Sequence, residues 1–335
     1  MSLRSYILKR LVYTVVLVFF AIVLNWIIFE AMPGLQGGFY SIVGNPNRGL
    51  TTQQYQNLVH AYGLDQPIWI RFLDYVKAML TFNFGYSYQY HDSVAFEIIG
   101  TGRLTNTLIL LGSSTVLSIV IGILMGIVAA RKRGSIFDSL SVTGSLVTFS
   151  LPTFWMGFIS IFIFAVALGW FPSGLVVPNT WSVGGLAPTS IWVQLVVRLQ
   201  HLFLPAAVLT LFSYGGFLLL TRATMMETLS EDYIVTARAK GLPERRVLLH
   251  HAFKNASLPI ITSAALSFAG ILSGAIITET VFNWAGLGEF LFDAIQFKDY
   301  PIMQAMFYLI ALAVIFANFI ADILYGIVDP RIKYE

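Results

Sequence analysis

Residues 230–259 read SEDYIVTARAKGLPERRVLLHHAFKNASLP, a basic stretch set between two long apolar runs. Capping chemistry marks its parts. Ser230 is the expected N-cap of a short helix, with Glu231 and Asp232 in a first turn whose dipole favours negative charge. Arg238 and Lys240 close that helix, and Gly241 supplies the left-handed residue that follows a helix end. Pro243 then suits the first position of a second helix, with Glu244 at its start and His250, His251 and Lys254 towards its end. Pro259 is expected where the chain turns back into an apolar run. The segment predicts two short helices around a tight corner at residues 241–243, displayed on one face of a membrane.

The membrane follows from composition. Hydrophobic residues make up 57% of the 335 and charged residues 11%, with a mean hydropathy of +0.75. Water-soluble domains hold about 45–50% apolar and about 25% charged residues. Crossing a hydrocarbon core of about 30 Å takes about 20 apolar residues. Six stretches qualify: 8–29, 105–130, 140–170, 202–221, 258–278 and 302–327. The third is too long for one straight span and holds Pro152, so a kink or tilt is expected. The fold class is therefore all-α, a polytopic membrane protein with six transmembrane helices in a single domain over 1–335. The first run follows Arg4, Lys9 and Arg10 but outlasts a signal-peptide core, so it reads as an uncleaved anchor.

Basic residues orient the chain. With a cytoplasmic N-terminus, 14 of the 20 lysines and arginines lie inside and 6 outside, and the positive-inside rule selects that arrangement. Both termini are then cytoplasmic, as is the segment 222–257. Three segments face outward: 31–104, roughly 171–201, and 281–301. In the first, Leu50-Thr51-Thr52-Gln53 has the chemistry of a helix start, and 69–80 has helical apolar spacing. Its aromatics, among them Tyr86, Tyr88 and Tyr90, suit an interfacial belt.

Small residues recur at packing intervals. Gly122 and Gly126 are expected to bring two helices close together. Ser263, Ser267, Gly270 and Gly274 in the fifth span are candidates for lining a translocation path. Asp322 and Glu279 are expected at the interfaces rather than in a proton relay, with Arg331 a partner for Asp322.

No cysteine is present, which removes disulfides and thiolate chemistry. The five histidines lack metal-protease spacing, and no Gly-x-x-x-x-Gly-Lys-Ser/Thr loop occurs, so ATP is not expected on this chain. No catalytic, cofactor or metal residue is assigned.

The wording at 236–241, Thr-Ala-Arg-Ala-Lys-Gly, followed by Leu258-Pro259, resembles the cytoplasmic loop of ATP-binding-cassette importer permeases. Val235 and Thr236 stand where the general pattern has Glu and Ala, and the spacer is longer. Both departures are similar to the dipeptide/oligopeptide permease branch. YGLDQPIWIRFLDYV at 62–76, FNFGYS at 82–87, LGWFPSG at 168–174, ETVFNWAGLG at 279–288, DYPIMQA at 299–305 and ADILYGIVDPRIK at 321–333 extend the likeness over nearly the whole chain. The resemblance implies a MetI-like transmembrane domain of a type I importer in a prokaryotic cytoplasmic membrane. It implies as partners a second homologous permease, two ATPase subunits that bind ATP and Mg, and an extracytoplasmic substrate-binding protein, besides membrane lipid. No nucleic-acid partner is implied. Thr236, Ala237, Arg238, Gly241, Leu242 and Arg245 become the residues expected to couple to the ATPase. Di- or oligopeptide is the implied cargo and oligosaccharide the alternative. A nickel branch also exists in this family. A stand-alone secondary transporter or channel is the competing class, disfavoured by the scarcity of ionisable residues in the spans.

Overall fold

A computed structural model describes residues 3–31, 53, 65–185, 187–269, 271 and 275–328. Among these residues the secondary structure is helical, with a single isolated β-bridge between Tyr86 and Ser93. Of the start predicted at 50–53 only Gln53 is described, and the glycines Gly270 and Gly274 fall outside the described residues, as does Arg331.

Helix α1 (Leu3–Trp26) runs into a wider π turn at Ile27–Ala31. Helices α2 (Ile68–Leu80) and α3 (Val94–Ile99) follow, then the long α4 (Arg103–Arg131). The third apolar run is two helices, α5 (Ile136–Ser150) and α6 (Thr153–Ser160), the latter continuing as a π turn to Ala167. They meet at 99°. Leu151 is extended (ψ 134) before Pro152, because a proline ring excludes the helical conformation from the residue preceding it. The expected kink is thus a full corner.

A short α7 (Asn179–Gly184) precedes α8 (Ile191–Leu229), a 39-residue helix. At 1.5 Å per residue α8 is about 58 Å long, so it projects well beyond the span expected at 202–221. The remaining helices are α9 (Asp232–Ala239), α10 (Glu244–Arg246) with a π turn at Val247–Ala252, α11 (Phe253–Ala269), α12 (Ile276–Val281), α13 (Leu287–Phe297) and α14 (Tyr300–Val328).

Among the described residues, four helices are individually long and apolar enough to cross a membrane, and the bent α5–α6 pair, taken as one span, brings the number to five. The fifth expected span, 258–278, corresponds to α11, which reaches Ala269, and to residues beyond it that are only partly described.

Tight packing centres on α4 and α8. A Cβ on Gly122 would sit 2.6 Å from the Tyr214 carbonyl, and one on Gly126 would sit 2.6 Å from Thr221 Cβ. Backbones this close gain dispersion contacts, which hold helices together where lipid offers no hydrophobic drive. α1 lies against α14 through an ion pair between Arg10 and Asp322 at 3.0 Å. Helix packing thus gives Asp322 a basic partner from the first helix.

Candidate functional site: the corner at residues 241–243 and its supports

The corner begins where α8 stops. Ser230 closes that helix: its Oγ donates to the Glu227 carbonyl at 2.6 Å, and its N–H donates there too. Glu231, extended at φ −75 and ψ 145, is the residue that opens α9. The assignment of Ser230 as N-cap is corrected accordingly, because its hydroxyl is already committed to the helix before it. Asp232 keeps its place in the first turn of α9.

Gly241 has φ +73, the left-handed geometry that L side chains adopt only at a cost. A Cβ there would meet nothing within 4 Å, so conformation rather than space calls for glycine. Pro243 (φ −60, ψ 140) is the residue just before α10, one position earlier than expected. Across the corner Arg238 forks onto Glu244, with Nη2 to Oε1 at 2.9 Å and Nε to Oε2 at 3.3 Å. This hydrogen bonding holds the Glu244 carboxyl below its ordinary 4.5 and pushes the Arg238 guanidinium up.

α9 has two faces. Ile234 and Ala237 are buried and pack with Val247, Leu248, Ala252, Met225 and Ala130, so the helix rests on the ends of α4 and α8 and on the turn leading into α11. Asn255 donates to the Tyr233 hydroxyl at 2.7 Å and adds a polar tie. The opposite face is exposed: Val235, Thr236, Arg238, Lys240 and Gly241, with Arg245 beyond the corner. Of the six residues predicted to couple, Thr236, Arg238, Gly241 and Arg245 share the outer surface, Leu242 is half-buried, and Ala237 faces inward. Leu242, Pro243, Arg245, Arg246, Leu249 and the two histidines line a shallow concavity of about 710 Å³.

The chain does not turn at Pro259. α11 continues through it, since the carbonyl its missing N–H would engage belongs to the exposed Asn255 and water can satisfy it. Ser263 and Ser267 lie half-buried on this helix, Ser267 Oγ donating to the Ser263 carbonyl.

Three buried acids brace the fold in pairings that the sequence did not reveal. Towards the corner end of α8, Arg222 grips Asp138 of α5, Nε to Oδ1 at 2.6 Å and Nη2 to Oδ2 at 2.9 Å. Asp138 Oδ2 also accepts from the Gly134 N–H at 3.0 Å. At the opposite end Glu279 is wholly buried. It acts as a helix cap, accepting from the Gly288 N–H at 2.7 Å and the Glu289 N–H at 3.1 Å. Asp299, also buried, accepts from Ser87 Oγ at 2.6 Å and the Gln89 N–H at 3.0 Å, tying the outer aromatic turn to the start of α14. The signals were an acid just after an apolar run and glycines seven and nine residues later. Only the fold pairs them.

Among the described residues no cluster of three or more histidine or acidic side chains offers a metal site. The corner offers chemistry of another kind: an exposed basic edge with small residues, fixed to the ends of three long helices.

A family model described as "Binding-protein-dependent transport system inner membrane component" matches residues 122–334. The chain is similar to the oligopeptide transport system permease protein AppB of Bacillus subtilis (strain 168), 34% identical over 332 residues, covering 99% of this chain and 100% of that protein. It is similar to the di/tripeptide transport system permease protein DppB of Pseudomonas aeruginosa (strain UCBPP-PA14), 39% identical over 298 residues, 86% of this chain and 88% of that one. The dipeptide transport system permease protein DppB of Escherichia coli (strain K12) is 38% identical over 299 residues, with the same coverage.

Proposed function

We propose, from the premise that this chain belongs to the family of binding-protein-dependent transport system inner membrane components, that it is the permease half of an ATP-driven importer of short peptides. In this reading the chain spans the membrane six times with both termini inside and pairs with a second permease to enclose the path. Two ATPase subunits hold ATP and Mg and dock on α9 and the corner at 241–243. A binding protein delivers cargo from outside. Peptide cargo is supported by the names of the relatives; none of those three names points to a sugar.

One observation carries the reading. The inner face of α9 is anchored by Ile234 and Ala237 while Thr236, Arg238 and Gly241 stand exposed. A force applied to the exposed face therefore reaches α4, α8 and α11 through packed side chains. Arginine forks suit carboxylates on a partner surface. The two access states are then set by differential binding, ATP-closed ATPases favouring one and the loaded binding protein the other.

The test replaces Val235, exposed on α9, by Asp. A surface change of this kind alters stability within about 0.5 kcal/mol. In proteoliposomes holding the whole transporter, V235D is expected to insert normally yet lose peptide uptake and the ATPase stimulation given by loaded binding protein. Undiminished uptake would remove the docking role. Cargo is settled separately by identifying the ligand of the cognate binding protein.

A further inference from the structure

Helix α2 lies in the segment that is expected to be outside the membrane, yet it presents three distinct sides. Its inner side carries Phe72, Tyr75 and Met79, the last two buried. Trp69, Leu73 and Leu80 recur at helical spacing on a second side and are 76, 65 and 59% exposed. Asp74 and Lys77 form an exposed polar edge beside them.

Three contacts set the position of this helix. Arg71 donates to Glu30 at 2.9 Å, Trp26 meets Phe72 edge-on at 5.1 Å, and Asn25 donates to the Tyr75 hydroxyl at 2.8 Å. As α2 advances from 71 to 75, its partners on α1 step back from 30 to 25. α2 therefore runs antiparallel to α1 along the outer third of that span. Tyr75 lies about 7 Å below the level of Glu30, and Leu80 deeper still.

The neighbouring surface has the same character. Phe20 and Leu24 of α1 and Ile27 and Ile28 of the π turn that continues it are exposed, on a span apolar enough to cross a bilayer. Beyond the tip of α2 lies a cleft of about 280 Å³ lined by Phe82, Phe84, Ile98, Ile99, Leu104 and Leu309, among others. Leu309 is nine residues into α14, about 13 Å from its outer end, which places the cleft at the depth of the outer leaflet.

From these observations we infer that α2 is a half-membrane helix whose Trp69–Leu73–Leu80 stripe lies against the acyl chains of the outer leaflet, with the cleft at its tip taking the end of one chain. Trp69, near the Arg71–Glu30 level, sits at the boundary that tryptophan favours. Lys77 reaches the headgroups along its apolar stem, and Asp74 lies less than one turn below Arg71. The inference rests on membrane residence alone and is independent of cargo and of ATP coupling.

The absence of cysteine permits a direct test. Single cysteines at 69, 73, 74, 77 and 80 are spin-labelled in the assembled transporter, reconstituted in phosphatidylethanolamine–phosphatidylglycerol liposomes. Collisions with oxygen should exceed those with a water-soluble nickel chelate at 69, 73 and 80, with the ratio rising with depth from 69 to 80, and it should be lower at 74 than at 77 and 80, which lie deeper. A stripe open to the chelate overturns the inference, and so does a stripe shielded from both reagents, which would mean that a protein partner covers it. Should a label disturb assembly, acyl-brominated lipid quenching of the unlabelled transporter, compared with W69F, decides the matter. Loss of quenching in W69F supports lipid contact, and equal quenching overturns it.

Discussion

The Thr107 hydroxyl of α4 donates to Glu279 Oε1 at 2.9 Å while accepting the Leu287 N–H at 2.7 Å. Between them these two side chains satisfy the N–H groups of Leu287, Gly288 and Glu289, three of the four donors that a helix start leaves unpaired. The close approach explains the glycines: a Cβ on Gly286 would collide with the Glu279 carboxylate, and one on Gly288 would lie 2.7 Å from the Ile276 nitrogen. Trp284 Nε1 donates to the Asn106 carbonyl and Asn106 donates back to Ala285, so α4, α12 and α13 form one outer unit.

Replacing Glu279 by Ala is expected to strand two buried N–H donors at about 1–3 kcal/mol each. Thermal unfolding in detergent should show E279A among the least stable single variants, with Glu279→Gln milder because one amide oxygen can still accept. Wild-type stability in E279A would mean that water replaces the carboxylate.

Asp138 is almost fully buried and bonded to both Arg222 and Gly134. Removing one member of a fully buried ion pair costs about 3–5 kcal/mol, but Arg222 is 26% exposed, and solvent screening brings the cost below that range. Arg222→Met should therefore destabilise measurably, and D138N together with R222M should cost less than the two single changes added. Additive effects in that cycle would rule out direct coupling.

Gly241→Ala meets no steric neighbour, so its cost is the left-handed backbone alone, about 1–2 kcal/mol. Gly241→Asn should cost less, since asparagine tolerates this region better. If docking uses the corner, uptake should fall in the order Gly, Asn, Ala while the amount of inserted protein stays level. Equal uptake by all three would show that the corner geometry is not needed.

The Glu244 carboxyl is held low by Arg238. A depressed folded value means that the pair's stabilisation is complete above the ordinary carboxylate value and fades as pH falls through the lowered one. The corner should consequently keep its shape across pH 6–8, and Glu244→Gln should leave the pH profile of uptake unchanged in that range. Both groups are well exposed, so the variant should change stability by less than about 1 kcal/mol. A profile that shifts in E244Q would assign the pair a titrating role.

Much of this protein is one-dimensional information. Apolar run length marked the membrane helices because hydrocarbon tolerates no unsatisfied backbone, and Gly241 marked its corner because its backbone conformation is local. The Gly122 and Gly126 spacing likewise announced a close crossing, and 69–80 its helix. Ser230 and Pro259 were misplaced, since each is decided by where neighbouring helices stop, and stopping depends on which groups water or another helix can satisfy. Which face of α9 is free, with Ala237 turned inward, and which distant groups meet, as Glu279 with Thr107, Asp138 with Arg222 and Asp322 with Arg10, belong to tertiary structure alone. Such pairings join residues tens to hundreds of positions apart, and nothing local to either partner records where packing will bring the other.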